Sequence, residues 1–296
     1  MTEGVIFRAL SGFYDVETDG GETVRCRARG RFRKDGENPL VGDRVRFRRE
    51  SDGTGTVMEI LPRKNEFLRP PVANLDCMVI FASAVNPVTD PFLIDRMTAV
   101  AEDRNCRPVI CINKTDADPA DGLYRLYRDA GFDTIRTSAV TGEGLDELRA
   151  AVAGRFCAFT GNSGVGKSSI LNAMEPGFSL KVGEVSEKLG RGRHTTRHVE
   201  IYRLSCGARI ADTPGFASFD TDRMDLTDPR RLGRDFREFA PYAGQCRFPD
   251  CVHGREQGCA VRAAAEEGRI APSRYGSYLR LLEQIRSAKP WERKTP

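Results

Sequence analysis

No stretch of the 296-residue chain approaches the ~20 consecutive apolar residues that cross a bilayer. The N-terminus, M-T-E-G-V-I-F-R, lacks the basic region, apolar segment and cleavage site of a secretory leader. No internal repeat or low-complexity tract is present. A net charge of only +4 offers no global attraction to nucleic acid, so such a partner has to be argued from local patches. These absences lead us to expect a cytoplasmic protein with no membrane role, in a compartment where thiols stay reduced. Its nine cysteines therefore read as core residues or metal ligands before disulfides. With 40% hydrophobic and 30% charged residues the chain is of ordinary globular composition, and it has room for two or three domains.

What is present centres on residues 161–169, G-N-S-G-V-G-K-S-S, which fit the phosphate-loop pattern G-x-x-x-x-G-K-[ST]. Arg155 to Thr160 reads as a buried strand before it, and Ile170, Leu171 and Met174 give helical spacing after it. Glycines let backbone N–H groups turn toward phosphate oxygens, and a helix N-terminus adds partial positive charge. Gly161, Asn162, Ser163, Gly164, Val165, Gly166, Lys167, Ser168 and Ser169 are thus the expected phosphate cradle. Lys167 would reach the β- and γ-phosphates and Ser168 would hold Mg²⁺.

Around this loop apolar strands alternate with helical patterns. Strands are expected at 77–82, 108–112, 134–137, 155–160, 201–204 and 208–211, and helices at 91–104, 119–130, 144–153 and 167–175. This is an α/β arrangement with a mostly parallel sheet, whose ligands bind at loops leaving the strand C-termini. One such loop carries Asn113, Lys114, Thr115 and Asp116. In N-K-x-D a carboxylate at Asp116 accepts from guanine N1–H and its 2-amino group, an arrangement that adenine does not offer. The next strand ends at Ser138-Ala139, which in GTPases presents backbone N–H to guanine O6. Asp212-Thr213-Pro214-Gly215 would place Asp212 near Mg²⁺ and the Gly215 N–H near a γ-phosphate. Residues 181–198 are polar and rich in glycine and arginine. They read as a mobile loop in which Thr195 or Thr196 completes the Mg²⁺ shell.

At the N-terminal end Arg25, Arg27, Arg29, Arg31 and Arg33 recur at every second position, so a strand would line them on one face. Residues 42–47 repeat the scheme with Val45 and Phe47 inward. Gly53, Gly55 and Asp35-Gly36 read as turns, and short strands over about 65 residues suggest a small β-barrel of OB-fold type. Its basic face suits RNA phosphates. Residues 63–73, basic and proline-containing, read as a linker. In the C-terminal part Cys246, Cys251, His253 and Cys259 fall within fourteen residues. Three thiolates and an imidazole complete a tetrahedron, the donor set of a closed, structural zinc site. Tyr275, Tyr278, Leu279, Leu282 and Ile285 have helical spacing, with Arg274, Arg280 and Arg286 making that helix basic. It caps this domain or lies on RNA. Cys77, Cys111 and Cys157 fall in expected strands and read as core.

The order of these motifs is informative. Base recognition precedes the phosphate loop, which precedes the threonine loop and D-T-P-G, whereas Ras-like GTPases run the phosphate loop first. The chain resembles a circularly permuted GTPase. With the basic barrel before it and the cysteine cluster after it, the whole chain resembles the ribosome small-subunit-dependent GTPase A (RsgA) family, whose zinc-site spacing it also shares. That resemblance implies an OB-fold RNA-binding domain at 1–69, a permuted GTPase domain at 74–222 and a mostly helical zinc-binding domain at 223–296. It further implies a bacterial cytoplasmic enzyme that hydrolyses GTP to GDP and phosphate, with Mg²⁺ and one structural zinc. Its expected role is late maturation of the small ribosomal subunit, with rRNA contact and stimulation by the particle. A monomer is the simplest expectation. Phe216 stands where Ras-like proteins carry a water-orienting Gln, so Lys167 and a candidate, His194, remain for catalysis. The rival readings are a P-loop ATPase or kinase, which Asn113 to Asp116 argue against, a GTPase acting on another RNA, and an RNA-binding zinc protein that uses nucleotide only structurally.

Overall fold

The computed structural model describes residues 1–30, 32, 37–68, 71–177, 199–212, 226 and 228–287. Period-two patterning is realised in β1 (Thr2–Leu10), β2 (Phe13–Thr18), β3 (Thr23–Ala28), β4 (Arg44–Arg49) and β5 (Gly55–Ile60). They pair in the order β1–β2–β3–β5–β4, and β4 returns to β1 to close the cylinder, an OB-like barrel. Ile6, Val16, Val24, Cys26, Val45, Phe47 and Val57 fill its interior. Each such buried side chain contributes about 1.5–3 kcal/mol, and a one-residue register slip would turn its strand's share outward.

The arginine face is shorter than its spacing suggests. β3 stops at Ala28, because Gly30 weakens a strand and Phe32, in a helical turn, is buried. Arg25, Arg27 and Arg29 are exposed. Arg25 donates to Asp15 at 2.9 Å, and the Arg27 guanidinium lies 4.7 Å over the Phe13 ring. Arg31, Arg33 and the Asp35-Gly36 pair lie outside the described residues. Gly55 opens β5 rather than forming a turn.

Residues 63–73 are not a free linker. β6 (Glu66–Leu68) and β7 (Pro71–Ala73) pair antiparallel, with Phe67 and Val72 buried. Arg63 donates to both oxygens of the fully buried Asp43, at 2.7 and 2.8 Å. Burial raises the Asp43 carboxyl above its usual range while Arg63 pulls it back. Gly42 (φ +91°) packs so closely that a Cβ would lie 2.1 Å from the Ala73 carbonyl oxygen and 2.6 Å from the Phe156 ring. Only glycine meets both constraints.

From Cys77 onward the elements follow near their expected bounds: β8 (Cys77–Ser83), α1 (Pro91–Asp103), β9 (Arg107–Asn113), α2 (Asp121–Asp129), β10 (Asp133–Thr137), α3 (Leu145–Val152), β11 (Phe156–Gly161), α4 (Lys167–Met174), β12 (Val199–Arg203) and β13 (Arg209–Asp212). β8 and β11 are buried throughout, as strands covered on both faces must be. Cys77, Cys111 and Cys157 are core, as expected.

Over the described residues the chain forms two compact units. One comprises Met1–Met78, Arg149–Ser163 and Lys167–Phe219, the other Val79–Leu148, Gly164–Gly166 and Asp220–Pro296. In the first, β11 and β13 are parallel, β12 is antiparallel to β13, and β12 pairs with barrel strand β1. In the second, the strand order is β10–β9–β8, with β9 and β10 parallel. The second unit also holds α5 (Pro229–Leu232), α6 (Ala240–Ala243), α7 (Ala260–Glu266) and α8 (Pro272–Ser287). Among the described residues no helix is long and apolar enough to cross a membrane.

The C-terminal helices share one apolar core, including Phe236, Phe239, Val261, Tyr278, Leu281, Leu282 and Ile285, with Ala99 of α1. The stripe of α8 differs in one place, since Leu281 is buried and Leu279 exposed. Arg274 is not part of a basic surface. It is 1% exposed and donates to Asp95 of α1 at 2.8 Å and to Glu238 at 2.7 Å. Phe236, Phe132 and Tyr127 stack around its guanidinium at 4.7–5.8 Å. Tyr127 also donates to Asp95 at 2.8 Å. Removing one partner of a buried pair strands the other charge, at about 3–5 kcal/mol. Arg274→Ala should therefore lower thermal stability by that amount in calorimetry, and a melting curve superimposable on wild type would show the network to be energetically idle.

Candidate nucleotide and metal sites

The second unit builds the N-K-x-D loop from strand β9. Asn113 closes the strand and is buried, and Lys114 turns the chain with φ +68°. The Asn113 Nδ2 donates to the Val165 carbonyl at 2.8 Å. Lys114 Nζ donates to the carbonyls of Gly164, at 2.8 Å, and of Asn86. Two residues at the middle of the phosphate-loop motif, Gly164 and Val165, are thereby gripped by the loop that carries Asp116. Val165 is fully buried, and a Cβ on Gly166 (φ +96°) would fall 2.2 Å from Asn113 Nδ2, so that glycine is required for the grip.

Asp116 is exposed, and its Oδ1 accepts from the buried Ser138 hydroxyl at 2.6 Å. Ser138 Oγ in turn accepts from Val140 N and Thr141 N at 3.2 and 3.1 Å. With both lone pairs so occupied, the single hydroxyl proton is committed to Asp116, which fixes the carboxylate's rotation. Thr115 N and Oγ1 both bond the Thr137 carbonyl, at 3.2 and 3.0 Å, and Oγ1 also lies 2.9 Å from Glu143. Ala139 is half-buried in the turn that follows. Sequence reasoning missed the Asn86-Pro87 segment, whose carbonyl holds Lys114 and whose Pro87 ring would lie 3.3 Å from a Cβ at Gly164. Its only signal was its place after β8, at a strand C-terminus.

In the first unit β11 ends on Gly161, and α4 opens with Lys167, Ser168 and Ser169 in its first turn, all half-buried. Asn162 is half-buried and Ser163 exposed. Lys167 Nζ donates to the carbonyls of Gly161 and Asn162 at 2.6 and 2.7 Å. Among the described residues no carboxylate pairs with it, and burial lowers it to about 8. A half-buried ammonium whose described partners are carbonyl dipoles keeps a charge that an anion would offset. Asp212 ends β13. Thr213, Pro214, Gly215, Phe216, His194, Thr195, Thr196 and the rest of 181–198 lie outside the described residues.

The metal-ligating set is assembled in the second unit. The donor atoms of Cys246, Cys251, His253 and Cys259 all lie within 4.8 Å of one another and could hold a metal ion. His253 Nδ1 is 3.5 Å from Cys246 Sγ and 3.7 Å from Cys259 Sγ. His253 takes φ +56°, and Tyr275 and Tyr278 hold its stretch by donating to the carbonyls of His253 and Val252. Cys259 Sγ caps α7 by accepting from Arg262 N at 3.4 Å, and Cys251 Sγ accepts from His253 N at 3.4 Å. Burial pushes the Cys251 thiol up to about 12 and lowers His253.

Residues 60–222 match the family described as RsgA GTPase, and residues 3–57 match its N-terminal domain, RsgA_N. The chain is 46% identical to "Small ribosomal subunit biogenesis GTPase RsgA" of Geobacillus thermodenitrificans, covering 98% of this chain and 99% of that one. It is 45% identical to the protein of the same name from Caldanaerobacter subterraneus subsp. tengcongensis, over 96% of each. Among solved structures it is similar to YjeQ from Thermotoga maritima, with TM-score 0.81 and 32% identity over 97% of this chain and 99% of that one. It is also similar to YloQ, described as a circularly permuted GTPase, with TM-score 0.78 and 36% identity over 98% and 96% of the two chains.

Proposed function

Since this chain belongs to the RsgA GTPase family, we propose that it converts GTP to GDP and phosphate and acts late in maturation of the small ribosomal subunit, in contact with its rRNA. The observation that carries this reading is the grip of Asn113 and Lys114 on Val165 and Gly164. It holds the N-K-x-D loop to Gly164 and Val165, the middle of the G-x-x-x-x-G-K-S motif, which supports a reading in which both motifs serve one nucleotide. The relatives' shared name, a small-subunit biogenesis GTPase, supports the assignment of the particle. We read the parts as an OB-fold RNA-binding domain (1–69), the permuted GTPase domain (74–222) and a zinc-binding domain (223–296), in a cytoplasmic monomer. Arg25, Arg27 and Arg29, with Arg31 and Arg33, are the proposed RNA contacts.

In this reading Asp116, held by Ser138, accepts from guanine, and the backbone at Ser138-Ala139 donates to its carbonyl. Residues 161–169 cradle the phosphates. Ser168, Asp212 and Thr195 or Thr196 are hard oxygen donors suited to Mg²⁺, which neutralises charge on the β- and γ-phosphates. The Gly215 N–H meets the γ-phosphate. Lys167 supplies charge to the transferred phosphoryl group, and His194 orients water in place of the Gln that Phe216 replaces. Turnover of GTP with and without purified small subunits tests the whole: stimulation is expected, with GTP preferred to ATP in a binding titration. Background phosphate release in both cases would leave nucleotide as a structural ligand only. His194→Ala should lower stimulated turnover on the order of 10²-fold with nucleotide affinity intact, and unchanged turnover would remove it from the mechanism.

The Lys167 ammonium sets a pH dependence. Its value in the free protein is about 8, below the ordinary lysine range, and a bound polyphosphate raises it again. Below pH 8 the charge is already present and affinity for GTP should be flat. Above pH 8 binding must take up a proton, so affinity should fall as pH rises. Calorimetric titration in two buffers of different ionisation heat measures that proton, and a pH-independent affinity from 7 to 9.5 would exclude it.

For the Cys246, Cys251, His253 and Cys259 set the support for zinc is metric. Tetrahedral zinc with Zn–S about 2.3 Å and Zn–N about 2.0 Å puts sulfur and nitrogen about 3.6 Å apart, against 3.5 and 3.7 Å here. All four positions are filled by protein, so the ion is structural and supplies folding energy. Elemental analysis should find one zinc per chain. Chelation should open residues 229–287 to protease while the barrel stays protected, and simultaneous cleavage of both would argue against separate domains.

A further inference from the structure

Cys246 and Cys251 bracket a four-residue tip, Arg247-Phe248-Pro249-Asp250, in which every residue is exposed. Phe248 is 41% exposed and is the one aromatic among the large exposed apolar side chains of the described residues. The Arg247 guanidinium lies 5.5 Å over its ring, and among the described residues no acid pairs with Arg247. The tip is held at both ends. Arg247 N donates to the Gly258 carbonyl at 3.0 Å, and Cys251 N donates to the Phe248 carbonyl at 3.2 Å. The Arg247 stem lies against Gly258, where a Cβ would approach it to 2.9 Å.

The ring lies outside the core formed by Phe236, Phe239 and Tyr278, on a tip whose backbone is held at both ends. Charge indicates what it meets. Residues 241–270 contain four arginines (247, 255, 262, 269) and four acids (250, 256, 266, 267), so their net charge is zero. Arg262 and Arg269 are paired locally with Glu266 and Glu267. Such a surface has little hold on a phosphate backbone, whereas a ring with a guanidinium against it offers a π-face and a cation–π partner to a nucleobase.

We propose that the Arg247–Phe248 tip is a stacking platform for an unpaired RNA base of the small ribosomal subunit. This rests on the function proposed above and adds a contact that is distinct in kind from the barrel arginines. Stacking is nearly independent of salt, while phosphate contacts weaken steeply with it.

The test measures binding of the full-length protein to purified small subunits across a potassium chloride series, for wild type and for Phe248→Ala, Phe248→Leu and Phe248→Trp. Zinc content and melting temperature are followed to confirm that each variant is folded. The alanine and leucine variants should bind on the order of tenfold more weakly at every salt concentration, with the salt slope unchanged, and tryptophan should restore binding. Full binding by the leucine variant would overturn the proposal, since an apolar contact with ribosomal protein would then suffice. Equal binding by all four proteins would overturn it as well. If wild type itself neither binds subunits nor is stimulated by them, the failure lies in the function proposed above, and the platform falls with it.

Discussion

Arg274 carries a full positive charge into a place with almost no water. Its guanidinium is accepted by Asp95 and Glu238 and enclosed by the rings of Phe236, Phe132 and Tyr127. These residues come from α8, α1, the turn before α6, the residue before β10 and α2, so one side chain joins the C-terminal helices to the part of the second unit that carries Asn113 to Asp116. Burial of an ion is unfavourable unless geometry and hydrogen bonding are complete, so each participating element is held to one position. The neighbouring contacts follow the same line: Arg237 donates to Glu102 at 2.6 Å and to the Gly131 carbonyl at 2.7 Å, and lies 4.8 Å over Phe132. The loop that carries Cys246, Cys251, His253 and Cys259 is fastened to the same aromatic cluster through Tyr275 and Tyr278.

The loops at 113–116 and 161–169 show a different economy. Asn113 and Lys114 use side-chain donors on backbone carbonyls, so the grip on Gly164 and Val165 does not depend on the side chains there. Gly166 is demanded by Asn113 and Val165 by burial, while Ser163 and Asn162 face outward or halfway so. Lys167 is the complementary case, a cation whose partners among the described residues are carbonyl dipoles. Burial lowers that ammonium to about 8, so its charge is held at a cost the described residues do not offset with a carboxylate.

Much of this was legible in the residues. Strands buried on both faces read as apolar runs, so β8 to β11 appear near their expected bounds, and the phosphate loop, N-K-x-D and the cysteine cluster are short-range patterns whose chemistry is local. What escaped depends on partners distant in sequence. Period-two arginines continue past Ala28, but Gly30 and the burial of Phe32 end the strand there. Residues 63–73 have the composition of a linker, yet Asp43, twenty positions away, draws Arg63 inward. Arg274 looks like a surface base on a basic helix until Asp95 and Glu238 are placed beside it. No helical spacing distinguishes Leu279 from Leu281, because the stripe's edge is set by what it packs against.

Gly42 sets barrel backbone against the Ala73 carbonyl and the Phe156 ring with no side chain of its own between them. Phe156 is the first residue of the strand that ends at Gly161, and its N–H is held by Asp76 at 2.7 Å. Side chains change volume as sequences drift, but peptide dimensions do not. A joint made from backbone keeps its spacing while the surfaces around it are rewritten. The barrel's outward charges can thus vary without altering the start of the strand that ends at Gly161.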